Sequence, residues 1–531
     1  MDDYWDRPIL KREQMVLFPT KLDEAVPRDH EVRLFDEILR KIAWSDWEER
    51  SPNRRGRPPI HPRIMAGVIL YGLMTRIRSS RALENALDVR LDFRWLAEGR
   101  SIDHTTLSEF RRKFGPELKS LFTKIGLLAR ELDLLSLSLL AFDGTRIRAN
   151  NRRSGTRTRS ELEKMREELT KKYDEFETKA SSEDSVDDEA FAGKEGESPE
   201  DIEKAKQEVG RCLEQVETAL AELDRAKESD EKEPKRVPLT DPESRQSPNK
   251  EGGFAPNYTP LATVDVGSGL IVSGDVIPGT DENHHLVAAV ENVQEQFGLE
   301  APPSEMLADG AFPTGENLEA MDKLGVTLYS PSSIPNPTTN PAVRDDPTQP
   351  VPDDQLDSLP SKPVDRKKSK QRQWTKAAFV YDSESDCYYC PQGEALPYSV
   401  TTSEKRNGRK IVRRRYDSDP AVCETCPHRA RCIQGKGKRR RVARSSDDER
   451  RESHARFMAT DEAKEKYTLR SHAAERPFAV IKHQFGARRF LLRGLEQVRV
   501  EWTWLATAFN LTRLMSLIRS RAGPENIPFV R

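Results

Sequence analysis

The sequence predicts an α/β protein: a mixed-sheet core behind an N-terminal helical unit, with a helical-hairpin insertion and a small Cys-rich module. Three observations predict it. Apolar runs at Leu132–Asp143, Tyr258–Val276 and Glu305–Asp309 have the length and composition of strands. Residues 62–114 instead carry the 3–4 apolar spacing of helices. Residues 160–230, between the first two strand regions, hold 24 Asp/Glu against 11 Lys/Arg, a composition that belongs to a solvated insertion and not to a sheet. Over all 531 residues, 87 basic and 89 acidic side chains nearly cancel, so only local charge says anything about partners.

From the N-terminus onward, Trp44 and Trp47 are expected to pack against the next stretch of chain. Pro62 suits a first helical turn and opens a helix through about Met74 that is apolar on most sides. Ser79–Leu87 is a second, short helix. Thr105–Phe114 is a third, with Asp103 as its cap and Leu107, Phe110 and Phe114 on one face. Residues 51–114 carry 13 Lys/Arg against 6 Asp/Glu, and a compact basic helical unit of this kind can lay a helix on DNA. Arg54, Arg55 and Arg57 in the proline-punctuated stretch, with Arg111, Arg112 and Lys113, are the candidate DNA contacts.

Leu132–Asp143 reads as a buried strand ending in Asp-Gly. The acidic insertion reads as two helices, about 158–180 and 199–230, with Val209, Leu213, Val216, Leu220 and Leu223 at helical spacing. Tyr258–Val276 forms two strands turning at Gly267-Ser268-Gly269. Asp281–Gly298 is helical, with His284 and His285 at a polar helix start. Glu305–Asp309 is a strand closed again by Asp-Gly, Gly315–Leu324 a helix and Val326–Tyr329 a further strand. Residues 331–365, rich in proline and poor in apolar side chains, read as a long loop or disordered linker.

Five of the six cysteines fall between 387 and 432. CxxC spacing lets two thiolates of one tight turn meet a tetrahedral ion, which points to a structural Zn²⁺. The preferred set is Cys390, Cys423, Cys426 and Cys432, with Cys387 or His428 as competitors. Around it, residues 361–450 hold 23 Lys/Arg against 12 Asp/Glu, which suits contact with a phosphate backbone.

Asp143 and Asp309 both end apolar strands and both precede glycine, so they can converge where neighbouring strands end. A third carboxylate is sought near the C-terminus. Glu475 stands in Tyr467-Thr-Leu-Arg470 … Glu475-Arg-Pro-Phe-Ala-Val-Ile-Lys482, seven residues before Lys482 on a helical face. Its rival is Glu501, alone among Trp502, Trp504 and Leu505, a stretch that reads as core. Pro477 leaves two pictures: a helix kinked there, or one that begins there.

At this point the chain resembles the DDE transposases of bacterial insertion sequences. The likeness runs in order through GRPPIHPRIMAGVILYG, TTLSEFRRKF, AFDGTRIRAN, NYTPLATVDVGSGLIV, MLADGAF, the YYCPQG…CETCPHRARC knuckle and ERPFAVIKHQFGARRFLLRGLEQVRVEW. It implies an RNase H-like core in which Asp143, Asp309 and Glu475 hold two Mg²⁺ (or Mn²⁺) ions, with Tyr467, Arg470 and Lys482 as accessory phosphate-binding residues. It also implies double-stranded DNA as partner, both element ends and target, and a homo-oligomer on DNA. The implied division is 1–130, N-terminal helical DNA-binding domain; 131–157, first part of the catalytic core; 158–235, acidic insertion; 236–330, core continued; 331–372, Pro-rich linker; 373–450, basic Cys-rich module; 451–531, C-terminal catalytic helices. A stand-alone metal-dependent nuclease and an inactive DNA-binding regulator are the alternatives.

No apolar run reaches the length of a membrane span, no secretory signal is visible, and the cysteines do not form a secreted disulfide pattern. The expectation is a cytoplasmic, nucleoid-associated protein with no membrane partner and no nucleotide cofactor.

Overall fold

The computed structural model describes residues 21–50, 59–151, 155–183, 199–228, 234–249, 252–364, 372–406, 409–433 and 435–522. Among these residues no helix is long and apolar enough to cross a membrane.

The N-terminal helices form where capping and apolar pattern agree. Helix α1 (Pro62–Met74) is buried nearly all round, consistent with its unbroken apolar sequence. Ser79 caps α2 (Ser80–Val89) and Asp103 caps α3 (His104–Lys113), each accepting a backbone N–H of the first turn. The sequence reading missed α4 (Gly115–Glu131), although Pro116 in its first turn and the buried Leu118, Leu121, Phe122 and Ile125 are an ordinary amphipathic signature. As expected, Trp47 is buried; it stacks on Phe110 and Phe114 and meets Trp504 edge-on.

The central sheet is built from β1 (Leu139–Gly144), β2 (Phe254–Asp265), β3 (Ile271–Ile277), β4 (Glu305–Leu307) and β5 (Thr327–Tyr329). Its order is β3-β2-β1-β4-β5. The first three run antiparallel to their neighbours, with Ala141 opposite Val264, while β4 lies parallel to β1 and β5 parallel to β4. Two short segments, Ile147–Arg148 and Arg245–Pro248, pair with the start of β2. The first strand is shorter than the sequence suggests: Leu132 caps α4, and pairing begins only at Leu139.

The insertion is the predicted hairpin, α5 (Arg159–Glu183) against α6 (Pro199–Glu228), with its own core of Leu162, Val216, Leu220 and Leu223. Two further helices cover the sheet. Helix α7 (Asp461–Ala479) crosses β1 and β2. Helix α8 (Leu495–Ala522) packs on α1, α4 and β3. One hydrophobic cluster therefore runs from Trp47 through α1 and α4 to the sheet and Trp502, so the N-terminal helices share the core of the sheet.

Pro477 neither starts nor breaks its helix. Helix α7 runs through it and then passes into a π turn at Val480–Gln484.

Residues 331–364 are a long loop, with a 3₁₀ turn at Asp353–Ser358, but a loop packed into the module and not a disordered linker. Ala342, Val351, Leu356 and Leu359 are buried in one cluster with Trp374, Tyr388 and Tyr416. Val343 and Val364 of the same stretch stay exposed. The module itself is a five-stranded antiparallel sheet: β6 (Val380–Asp382), β7 (Cys387–Tyr389), β8 (Ala395–Arg406), β9 (Arg409–Asp417) and β10 (Arg441–Ser445).

Candidate active site

Parallel pairing aligns Ala141 of β1 with Leu307 of β4. Asp143 and Asp309 each lie two residues further on, so the two carboxylates emerge side by side at one sheet edge. Each is steadied locally: Asp143 accepts the N–H of Gly144 at 2.9 Å, and Asp309 accepts that of Ala311 at 2.8 Å.

Helix α7 reaches this edge from above. Arg470, with 13% of its side chain exposed, pairs with Asp143 at 3.2 Å. Its Nε is buried without a hydrogen-bond partner. Tyr467, one turn earlier, pairs with Arg470; burial raises its hydroxyl pKa, and Asp309 and Asp143 add to the rise. Lys482 donates to the hydroxyl of Thr145 at 2.5 Å, two residues past Asp143. Glu475 lies on the chain between Arg470 and Lys482 and is exposed.

A residue that sequence reasoning missed joins them. Glu282, in the turn after β3, packs on Gly144: a Cβ at 144 would lie 2.5 Å from its carboxylate. The glycine of the first Asp-Gly pair lies within β1 and makes room for an acid, not a turn. Burial, followed by the charges of Asp143 and Asp309, pushes the Glu282 carboxyl from its ordinary 4.5 up to about 7. The only sequence signal was a polar pair before a helix, which does not reveal where the turn folds back.

Glu282 carries a pH prediction. Its folded-state pKa is the raised one, so its cost to stability is absent below about pH 4.5 and complete above about pH 7. In divalent-free buffer, Glu282→Gln is expected to stabilise the protein by roughly 2–3 kcal/mol at pH 8 and not at pH 4. Equal stability of the two proteins in urea melts at pH 8 would contradict this.

The rival carboxylate, Glu501, is engaged elsewhere. It accepts Arg78 at 2.7 Å and the backbone N–H groups of Leu491 and Leu492, the latter at 2.8 Å. Its partners show a structural clasp between the N-terminal helices and α8.

The candidate DNA contacts divide. Arg54, Arg55 and Arg57 lie outside the described residues. Arg112 and Lys113 are exposed on α3. Arg111 requires a correction: it turns inward and donates to the carbonyl of Arg78 at 2.6 Å, and burial pulls its pKa down to about 10. Helical periodicity puts it on the same face as the buried Leu107, so it is not offered to a duplex.

Asp143, Asp309 and Glu282 crowd three carboxylates around one paired guanidinium. Carboxylate oxygens are the donor type that hard divalent cations take, but these three are not arranged as a metal site. Among the described residues, no group of three or more His, Cys, Asp or Glu side chains is arranged to hold a metal ion.

Two parts of the chain match known families. Residues 389–515 match a family described as Transposase DDE domain, and residues 20–113 match one described as Transposase domain (DUF772). The first match spans Tyr467, Arg470, Glu475 and Lys482, and the second spans α1 to α3. No curated protein matches the chain.

Proposed function

We propose that the chain, which matches a Transposase DDE domain and a Transposase domain (DUF772) over parts of its length, is an insertion-sequence DDE transposase that binds the terminal inverted repeats of its own element, cuts the ends and joins the 3′-hydroxyls to target DNA. The observation that carries this reading is the meeting of Asp143 and Asp309 at one sheet edge, under the helix that bears Tyr467, Arg470 and Glu475. The strand order β3-β2-β1-β4-β5, with three antiparallel strands and two parallel additions, supports an RNase H-like core.

In this reading Asp143, Asp309 and Glu475 would hold two Mg²⁺ or Mn²⁺ ions. Two such ions stabilise charge on the attacking and leaving oxygens of an in-line displacement at phosphorus. The chain's own residues do the rest. Arg470, paired with Asp143, and Lys482, donating to Thr145, supply two cations beside the aspartates for phosphate oxygens. With its pKa raised, Glu282 adds less than a full third negative charge beside the aspartates near neutral pH in the absence of metal. A homo-oligomer on DNA follows from the need to process two ends together.

The exposed pair Arg112 and Lys113 grips DNA through its phosphates. Changing both to alanine should weaken binding to any duplex and lower the log–log salt slope by about 2, since each phosphate contact contributes about 0.9. An unchanged slope would remove α3 from the interface.

The test of the reading is incubation of the purified protein with element-end DNA, a supercoiled target plasmid and Mg²⁺. End DNA joined to plasmid is expected. Cut ends without joining would make the protein a nuclease, and specific binding without cutting would make it a regulator.

A further inference from the structure

Two groups of side chains stand outside the chemistry proposed for the carboxylates. Cys390, Cys423, Cys426 and Cys432 line one cavity as free thiols, and Cys387 does not line it. They are not arranged to hold the Zn²⁺ that their spacing suggests. The other group is a set of arginines on the loop between the π turn and α8, beside the end of β1.

The loop Arg488–Arg493 is fixed against the chain that carries Asp143. The N–H of Arg148 donates to the carbonyl of Arg488 at 3.3 Å, and the N–H of Phe490 donates to the carbonyl of Arg148 at 2.8 Å. Phe490 is fully buried and meets Tyr258 edge-on, with centroids 6.2 Å apart. The next residue does the opposite: Leu491 is 42% exposed. Its backbone is nevertheless clamped on both sides. Its N–H donates to Glu501 at 2.9 Å, and its carbonyl accepts the side-chain amide of Asn150 at 2.6 Å. The fold thus holds an apolar tip out in water, against the tendency of apolar surface to be buried.

Arginines surround this tip. Arg488, Arg489 and Arg493 are exposed. Arg489 donates to the side-chain oxygen of Asn150, and Arg493 to its carbonyl at 3.2 Å, so both converge on the residue that holds Leu491. Arg488 donates to a ring nitrogen of His483 at 2.8 Å. Arg146, anchored on the carbonyl of Pro248 at 2.8 Å, extends the positive charge to Glu282 at the catalytic edge. Among the described residues none of these four arginines forms an ion pair. The nearby acids are engaged by backbone: Asp241 accepts the N–H of Gly494 at 3.1 Å, and Glu243 that of Leu495 at 2.7 Å. Guanidinium groups held in place without carboxylates are donors ready for phosphate.

On the reading that this chain cuts DNA at Asp143 and Asp309, we propose that the loop Arg488–Arg493 is a DNA wedge. Arg488, Arg489, Arg493 and Arg146 take phosphates of the duplex beside the cleaved bond, and Leu491 enters between its base pairs. Apolar side chains inserted at a base step unstack it and kink the duplex, and the phosphate contacts that the bend permits offset the unstacking. The loop is placed for this. Lys482, on the segment leading into it, donates to the hydroxyl of Thr145, two residues past Asp143. Wedge and carboxylates therefore share the end of one strand, where a DNA strand must leave its duplex to reach the aspartates.

Two probes test it on the full-length protein. With a random-sequence duplex and no divalent ion, Arg488→Ala and Arg493→Ala together should weaken binding roughly tenfold or more and lower the log–log salt slope by about 2. With element-end DNA carrying 2-aminopurine next to the cleaved bond, wild type should raise the fluorescence, because the base is unstacked. Leu491→Ala should lose that rise while still binding the random-sequence duplex, and Leu491→Met should restore it. An unchanged salt slope, no fluorescence rise with wild type, or a rise kept by Leu491→Ala would overturn the proposal. The cleavage reading fails separately: with the slope change and the fluorescence rise both present, a wild type that cuts no ends in Mg²⁺ would keep the wedge and remove the chemistry.

Discussion

Asp143→Asn is expected to reduce cleavage of element-end DNA by roughly a thousandfold or more while the protein melts at or above the wild-type temperature. Charge relief at the scissile phosphate contributes several kcal/mol to the transition state, and every 1.4 kcal/mol or so is a factor of ten. The fold uses this charge in the pair with Arg470, and its loss there is offset by relief of repulsion among the neighbouring carboxylates. Asn keeps the oxygen that accepts the N–H of Gly144, and it removes one of three negative groups packed together with Asp309 and Glu282. Asp309→Asn and Glu475→Gln should share the loss of activity. Gel assays on labelled ends, paired with thermal melts, check both halves. Cleavage by Asp143→Asn within tenfold of wild type would remove the strand-end carboxylate from the chemistry.

Glu501→Gln should have the opposite profile, a destabilised protein whose folded fraction retains the active site. Glu501 and Arg78 are 10% and 13% exposed in their side chains, and Arg111 lies buried beside them. Removing the one carboxylate leaves two guanidinium groups in a poorly solvated junction. Breaking a buried pair on one side costs on the order of 3–5 kcal/mol. Glutamine still accepts one backbone N–H of the Leu491–Leu492 turn, which puts the expected loss near the lower end, at about 3 kcal/mol. Chemical denaturation measures it directly. A stable Glu501→Gln protein that no longer cleaves DNA would return Glu501 to the catalytic set.

The two variants separate because the clasp and the active site are built from different contacts, although both involve residues near the C-terminus. Arg78 also donates to the carbonyls of Gly486 and Arg489, and the chain at Arg489 pairs with Arg148, just past β1. The clasp thus links the N-terminal helices to the strand that carries Asp143.

Much of this architecture was legible in the sequence. Periodicity and capping determined α1, α2 and α3, because those signals are local: Ser79 and Asp103 act on the first turn of their own helices. The hairpin insertion followed from its charge and its apolar spacing, and the strands at Asp143 and Asp309 from short apolar runs cut off by Asp-Gly. The long loop 331–364 was legible as a loop, but not its packing. Its proline-rich composition resembles that of a linker, and its burial depends on a module core assembled from residues up to a hundred positions away.

By itself, then, the sequence determined the features carried by neighbours in the chain: helices, strand ends, the knuckle spacing and the order of the transposase segments. Only the tertiary structure decided which charges face the site. It turned Arg111 inward, gave Glu501 to Arg78, folded Glu282 onto Gly144, and separated four cysteines from the fifth. Each of these depends on desolvation and on distances between segments far apart in sequence, and local propensity carries no record of either.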